Sequence, residues 1–440
     1  MSGHRVFAVS SSLVVALLVT ARLSAQTVAP HWEGVMVQQG SRLPISVDFV
    51  RRDTSLSATW SAPSMRALRI PLQRIRVSGN TVHFELIGDE SSTSFDGELK
   101  GDSLVGTFSG GEGEGSLLMV RRPQPTPPYR EEEVTFSNGA VKLGGTLLVP
   151  VNSGPHPAVV FVHGSGPEGR FASRFLAEHL AHNGVAALIF DKRGVGTSSG
   201  DWMHSTLEDL AGDALAGVEL LRARREIDGD RVGIYGHSQG GLIAPIAAAR
   251  SSNVAFIVAG ATYGGTVFEQ DLYRVSNSLK RSELSEQDQA RAFAFYRRFI
   301  LAARTGQGID ALLVSGDSVK SEAWYQWLGI PPREHWLWSF YPPVGNFDPL
   351  PVWQRVTVPT LLLYGQNDQL IPVDTSLSRI GRALDQAGNS RWAAVILPRA
   401  AHNLTISPGP GEPFEWRRVA PGMPDIVVGW VKQQRPIGRQ

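Results

Sequence analysis

Gly236-His237-Ser238-Gln239-Gly240 places a serine between two glycines, directly after the apolar run Val232-Gly233-Ile234-Tyr235 and just before Leu242-Ile243-Ala244. A serine on so sharp a strand-to-helix turn cannot fold its side chain back on its own strand, and the flanking glycines let neighbouring backbone close in without Cβ clashes. Ser238 is therefore expected to present an exposed, activated hydroxyl. The same Gly-x-Ser-x-Gly pattern recurs at Gly196-Thr197-Ser198-Ser199-Gly200. That copy follows the polar loop Asp191-Lys192-Arg193-Gly194 and has no apolar helix start behind it, so context assigns the role to Ser238 and not to Ser198.

A serine hydroxyl needs a base to take its proton and a third group to hold that base in the right tautomer. Asp368 lies just past the apolar run Thr360–Tyr364, and His402 just past the run ending near Leu397. Both are expected at the C-terminal edge of a sheet, where Ser238 also emerges and where open α/β sheets bind ligands. Asp374 competes for the acid's place and His335, more distantly, for the base's. His179 and His182 fall on a helix, His204 falls in a loop, and His237 is expected to point away along the turn, so these read as packing or solvent-facing groups. Acyl transfer places negative charge on the former carbonyl oxygen, which must meet fixed N–H donors. The Ser165 backbone, in the loop His163-Gly164-Ser165-Gly166, and the Gln239 backbone are the candidates for this oxyanion hole.

The elements that must position these groups fall into two textures. Residues 26–122 hold short runs of period two, such as Ile45-Ser46-Val47-Asp48-Phe49 and Val82-His83-Phe84-Glu85-Leu86, separated by turns. This predicts a small all-β barrel or sandwich. Four prolines between 123 and 128 make 123–130 a stiff linker. Residues 131–440 alternate apolar strands with amphipathic helices, which predicts an α/β fold with a mostly parallel sheet and helices on both faces. The strands are expected at Ala158–Val162, Ala186–Phe190, Val232–Tyr235, Phe256–Ala259, Thr360–Tyr364 and Ala393–Leu397, with Thr206 capping a helix from Leu207. Residues 263–356 break the rhythm and are expected to form a helical lid. Its aromatics Trp324, Tyr325, Trp327, Trp336, Trp338, Phe340 and Tyr341 either wall an acyl pocket or, for most of them, pack the lid itself.

The first 25 residues read as an export signal: Arg5, an apolar stretch from Val6 to Thr20, and small residues before Gln26. Removing them takes two arginines from a chain with 42 basic and 41 acidic residues, leaving a balance near neutral. Nothing in that balance points to nucleic acid or anionic lipid as a partner. No cysteine is present, so neither a disulfide nor a thiol nucleophile is available. An exported, periplasmic or secreted protein with no cofactor or metal, no membrane association beyond the signal and a small-molecule substrate is expected.

The runs Pro157-Ala158-Val159-Val160-Phe161-Val162-His163-Gly164-Ser165-Gly166-Pro167, Asp191-Lys192-Arg193-Gly194-Val195-Gly196-Thr197-Ser198 and Gly236-His237-Ser238-Gln239-Gly240-Gly241 resemble the α/β-hydrolase esterases related to serine aminopeptidases and dienelactone hydrolases. The resemblance begins near Glu131, and the β-rich segment before it resembles, more loosely, a domain that some bacterial esterases of this group carry. It implies the α/β-hydrolase fold, with Ser238 as nucleophile, Asp368 as acid, His402 as base, and Ser165 and Gln239 as oxyanion donors. Glu168-Gly169-Arg170 departs from the family loop and leaves a substrate role for Arg170 open. The leading expectation is an acyl esterase working through an acyl-enzyme. The alternatives are a peptidase on the same triad, binding a substrate ammonium with carboxylates such as Glu283, Glu286, Glu322 or Glu334, and a non-catalytic binding protein.

Overall fold

The computed structural model describes residues 30–435 apart from 54, 89–90 and 112; the expected export signal lies outside these residues. The first unit is one antiparallel sheet of β1 (His31–Gln38), β2 (Ser41–Arg52), β3 (Ser55–Ala62), β4 (Ala67–Pro71), β5 (Gln73–Ser78), β6 (Thr81–Ile87), β7 (Ser92–Lys100), β8 (Ser103–Gly110) and β9 (Gly113–Arg121). Their order is β4-β3-β2-β1-β9-β8-β7-β6-β5. β4 and β5 are the two outer strands, yet only Leu72 separates them in sequence, and its N–H bonds Ala58 of β3. The two ends of the sheet must therefore meet, which makes the unit a barrel and not a sandwich. Period-two side chains fill it: Trp32, Met36, Val47, Phe84, Phe95 and Phe108 are all fully buried.

The second unit begins with an antiparallel hairpin, β10 (Tyr129–Asn138) and β11 (Val141–Pro150), which the sequence reading did not separate out. β12 (His156–Val162), α1 (Phe171–His182), β13 (Ala186–Phe190), α2 (Leu207–Arg222), β14 (Ile227–His237), α3 (Gln239–Arg250) and β15 (Ile257–Gly260) follow. After the helical insertion come β16 (Thr360–Gly365), α10 (Val373–Gln386), β17 (Trp392–Leu397) and α11 (Met423–Gln433). The sheet runs β10-β11-β13-β12-β14-β15-β16-β17, with β13 to β17 mutually parallel and both faces covered, as their unbroken apolar runs require. The fold is that of an α/β hydrolase preceded by an all-β unit. Thr206 does cap α2, in a capping box with Asp209.

The insertion holds α4 (Val267–Lys280), α5 (Glu286–Thr305), α6 (Ile309–Asp317), α7 (Ala323–Leu328), α8 (Leu337–Gly345) and α9 (Leu350–Trp353). It has a core of its own in which Phe295, Phe299, Trp324 and Trp338 pack together. Contacts from two directions lock the barrel to the second unit, besides others near the site. Trp416, from the segment before α11, packs against Phe108 inside the barrel mouth and donates to Ser41 O. Arg69 of β4 pairs with Glu131 of β10 and Glu178 of α1.

Candidate active site

β14 carries Ser238 to the C-terminal edge of the sheet, and the turn into α3 follows at once. Ser238 has φ 55° and ψ −115°, a backbone conformation costing about 1–3 kcal/mol for a residue with a side chain. The turn is held because the Ser238 N–H bonds Gly260 O and Ser238 O accepts from Gly241. A Cβ on Gly236 would lie 2.0 Å from Gly240 O, and one on Gly240 would lie 2.6 Å from Val162 O. Both glycines of the pentapeptide are therefore required by close backbone approach.

Ser238 Oγ lies 3.0 Å from His402 Nε2, and His402 Nδ1 lies 2.8 Å from Asp368 Oδ2. His402 Nδ1 donates to the fully buried Asp368 side chain, which leaves Nε2 to accept from the serine hydroxyl. Asp368 Oδ1 in turn accepts from the N–H groups of Leu370 and Ile371 at 2.8 and 3.1 Å, which fixes the carboxylate plane. Asp374 is an exposed residue in the first turn of α10, and His335 lies outside the cavity, so neither competitor reaches Ser238. Ser198 is buried: it donates to Asp191 O and accepts from Gly144 N, a structural role that occupies its hydroxyl.

Ser165 and Gln239 border the same 420 Å³ cavity as Ser238 and His402. The loop carrying Ser165 is braced from both sides. Glu168 accepts from the Gly164 N–H at 2.8 Å, and Lys192 donates to Gly164 O at 2.8 Å, Gly166 O at 3.0 Å and Gln239 Oε1 at 3.0 Å. One ammonium thus ties together the two segments expected to supply oxyanion donors. Lys192 is 2% exposed, and burial pulls it down to about 8 despite the nearby Glu168 charge. Sequence reasoning had only its position to go on: it follows β13 directly, at the edge where Ser238 emerges. The neighbouring residues of that motif are structural. Burial alone would raise Asp191, but Arg170 and the backbone N–H groups of Thr197 and Arg170 hold it at about 2. Arg170 is spent on Asp191, Glu133, Thr146 and Thr197 and does not border the cavity, so it takes no part in substrate contact.

His237 departs from expectation. Its ring does not turn away but packs edge-on against His402, with centroids 5.3 Å apart, and borders the cavity. Burial, the Arg66 charge and His402 together keep it neutral. Arg66, in the barrel turn between β3 and β4, donates to the main-chain oxygen of Asn403, the residue after His402. No signal in the sequence linked the barrel to the histidine loop. Of the lid aromatics, Phe340 and Tyr341 border the cavity, whereas Trp324 and Trp338 pack the lid core. Glu283, Glu286, Glu322 and Glu334 do not border it; Asp271 and Arg274 of α4, which the sequence reading did not single out, do.

A doubly covered sheet with a strained serine elbow, a late aspartate and a last histidine defines the class, and residues 159–413 match the profile of the alpha/beta hydrolase family. The chain belongs to that family. Esterase EstD of Thermotoga maritima is 25% identical over 250 residues, 54% of this chain and 52% of EstD, so the chain spans about half the length of that relative. The quorum-quenching protein AidA of Acinetobacter baumannii is 24% identical over 255 residues, 57% of this chain and 83% of AidA. Among solved structures, a Pyrococcus furiosus esterase overlays with a TM-score of 0.44 at 18% identity, over 71% of this chain and 96% of the esterase.

Proposed function

We propose that the protein is a serine carboxylesterase with Ser238 as nucleophile, His402 as general base and Asp368 as its orienting acid. The observation that carries this reading is the unbroken hydrogen-bond chain Ser238–His402–Asp368 at 3.0 and 2.8 Å. Ser238 Oγ attacks the ester carbonyl carbon as His402 Nε2 takes its proton, and the oxyanion meets the Ser165 and Gln239 N–H groups. The C–O bond to the alcohol breaks, His402 returns the proton to the departing alkoxide, and the acyl group remains on Ser238. Water, deprotonated by His402, then attacks the acyl carbon; the bond from that carbon to Ser238 Oγ breaks, His402 returns the proton to Oγ, and the carboxylic acid leaves. Esterase names among the relatives agree with this reading.

Ester substrates are favoured over peptides by the cavity wall. None of the four glutamates offered as ammonium ligands borders it, and the two carboxylates that do are engaged, Glu168 by the Gly164 N–H at 2.8 Å and Asp271 by Arg274 at 3.0 Å. Assay of p-nitrophenyl acyl esters against aminoacyl p-nitroanilides is expected to give turnover of the esters, with labelling by a fluorophosphonate; cleavage of the anilides alone would overturn the ester assignment. Export through residues 1–25 completes the proposal. N-terminal sequencing of the protein from the periplasm or medium of an expressing bacterium should begin at Gln26, whereas full-length protein confined to the cytoplasm would contradict it.

A further inference from the structure

The lid presents the cavity with one ion pair, Asp271 and Arg274, beside Gln270 and the aromatic and apolar groups of α4 and α8. Asp271 is 9% exposed, and its Oδ2 is buried with no hydrogen-bond partner. Its Oδ1 accepts from Arg274 Nε at 3.0 Å, and Arg274 Nη2 reaches Tyr296 OH at 3.2 Å. Both Asp271 and Arg274 border the cavity that holds Ser238, together with apolar groups such as Leu242, Phe340 and Val344. A buried carboxylate oxygen without a donor is costly to leave unmet, and such a group calls for a role, which a ligand group that donates to it supplies. The carboxyl torsion of an aspartate is soft, so a small rotation presents this oxygen to the cavity.

Burial raises the Asp271 carboxyl and the Arg274 guanidinium lies against it, so the pair holds no surplus negative charge to attract an ammonium. It offers an acceptor, Asp271 Oδ2, beside a guanidinium that still has N–H groups to give. That is the complement of an amide, whose N–H donates and whose C=O accepts. We infer that Asp271 and Arg274 form a lid subsite that selects esters whose acyl chain carries an amide group. This inference rests on the esterase reading of the Ser238 site and names the substrate class within it.

Length-matched p-nitrophenyl esters test it: 3-acetamidopropanoate against hexanoate, 4-acetamidobutanoate against heptanoate, and 5-acetamidopentanoate against octanoate. At least one amide-bearing ester should exceed its hydrocarbon partner in kcat/KM by about ten- to hundredfold, because the analogue leaves the carboxylate unpaired. D271L should invert that order, and D271N, which keeps an acceptor oxygen, should retain it. Misfolding lowers both members of a pair and leaves their ratio alone. Equal ratios in wild type and D271L, or a hydrocarbon preference in every wild-type pair, overturn the subsite. If the wild type cleaves no ester, the esterase reading fails by itself. Calorimetric binding of the corresponding methyl esters to S238A then decides the subsite: tighter binding of an amide member, lost in S238A/D271L, supports it, and equal binding overturns it.

Discussion

Replacing Ser238 with alanine is expected to lower kcat on any ester by about 10⁵- to 10⁶-fold, leaving only what binding and the oxyanion donors supply, and to abolish fluorophosphonate labelling. The expected loss is that large because no other hydroxyl can take over. Ser198 is buried with its oxygen engaged at both ends. Ser165 lies on the loop braced by Lys192, and the His402 Nε2 bond goes to Ser238 Oγ and not to it. The fold should survive intact. S238G should be equally inactive yet more stable than wild type by about 1 kcal/mol or more, since glycine adopts φ 55° without strain. Activity and stability are opposed at this one residue. Retention of labelling in S238A would place the nucleophile elsewhere.

Lys192→Met is expected to reduce kcat by about a hundred- to a thousandfold, comparable to loss of an oxyanion donor, with little change in KM. Methionine keeps most of the stem but gives no donors, so Gly164 O, Gly166 O and Gln239 Oε1 are all released. The Ser165 and Gln239 N–H groups then lose their common anchor, and a donor displaced by a fraction of an ångström no longer meets the developing charge. The pH dependence separates this from simple destabilisation. Burial lowers Lys192 from its ordinary 10.5 to about 8. Above pH 8 the amine keeps only two donors, so kcat should fall through that value. Stability should move the other way: between 8 and 10.5 the unfolded chain binds the proton and the folded chain does not, so folding becomes more favourable as pH rises through this window, and the penalty is fully present below it. Both trends should vanish in K192M. A full-activity K192M, or an alkaline limb unchanged in it, would falsify the positioning role.

How far the sequence reached depended on whether a signal was local. Ser238, Asp368 and His402 each follow an apolar strand, so a strand count was enough to predict that they meet, and the structure brings them within hydrogen-bond distance. The hairpin β10–β11 was harder to read, because Arg130-Glu131-Glu132-Glu133 looks like a solvated charge run. Its carboxylates are instead matched by Arg69, by Arg170 and Arg174 at the start of α1, and by Arg224, supplied from three distant points of the chain. Lys192 was visible only as part of a motif, since a buried lysine has no pattern that distinguishes it from an exposed one. Asp271 and Arg274 lie on an amphipathic helix where any charged pair reads as surface. What exposes them is the cavity, which exists only once the lid lies over the sheet.

The Trp416 indole inside the barrel mouth and the Arg66 contact to Asn403 make the two units poor candidates for separation. Cutting away residues 26–122 would strand a large aromatic side chain in water and leave the main chain beside His402 without its donor. The barrel is thus less an appendage than a missing wall of the hydrolase. The two parts are bound to unfold together, and selection on either surface is felt by the other.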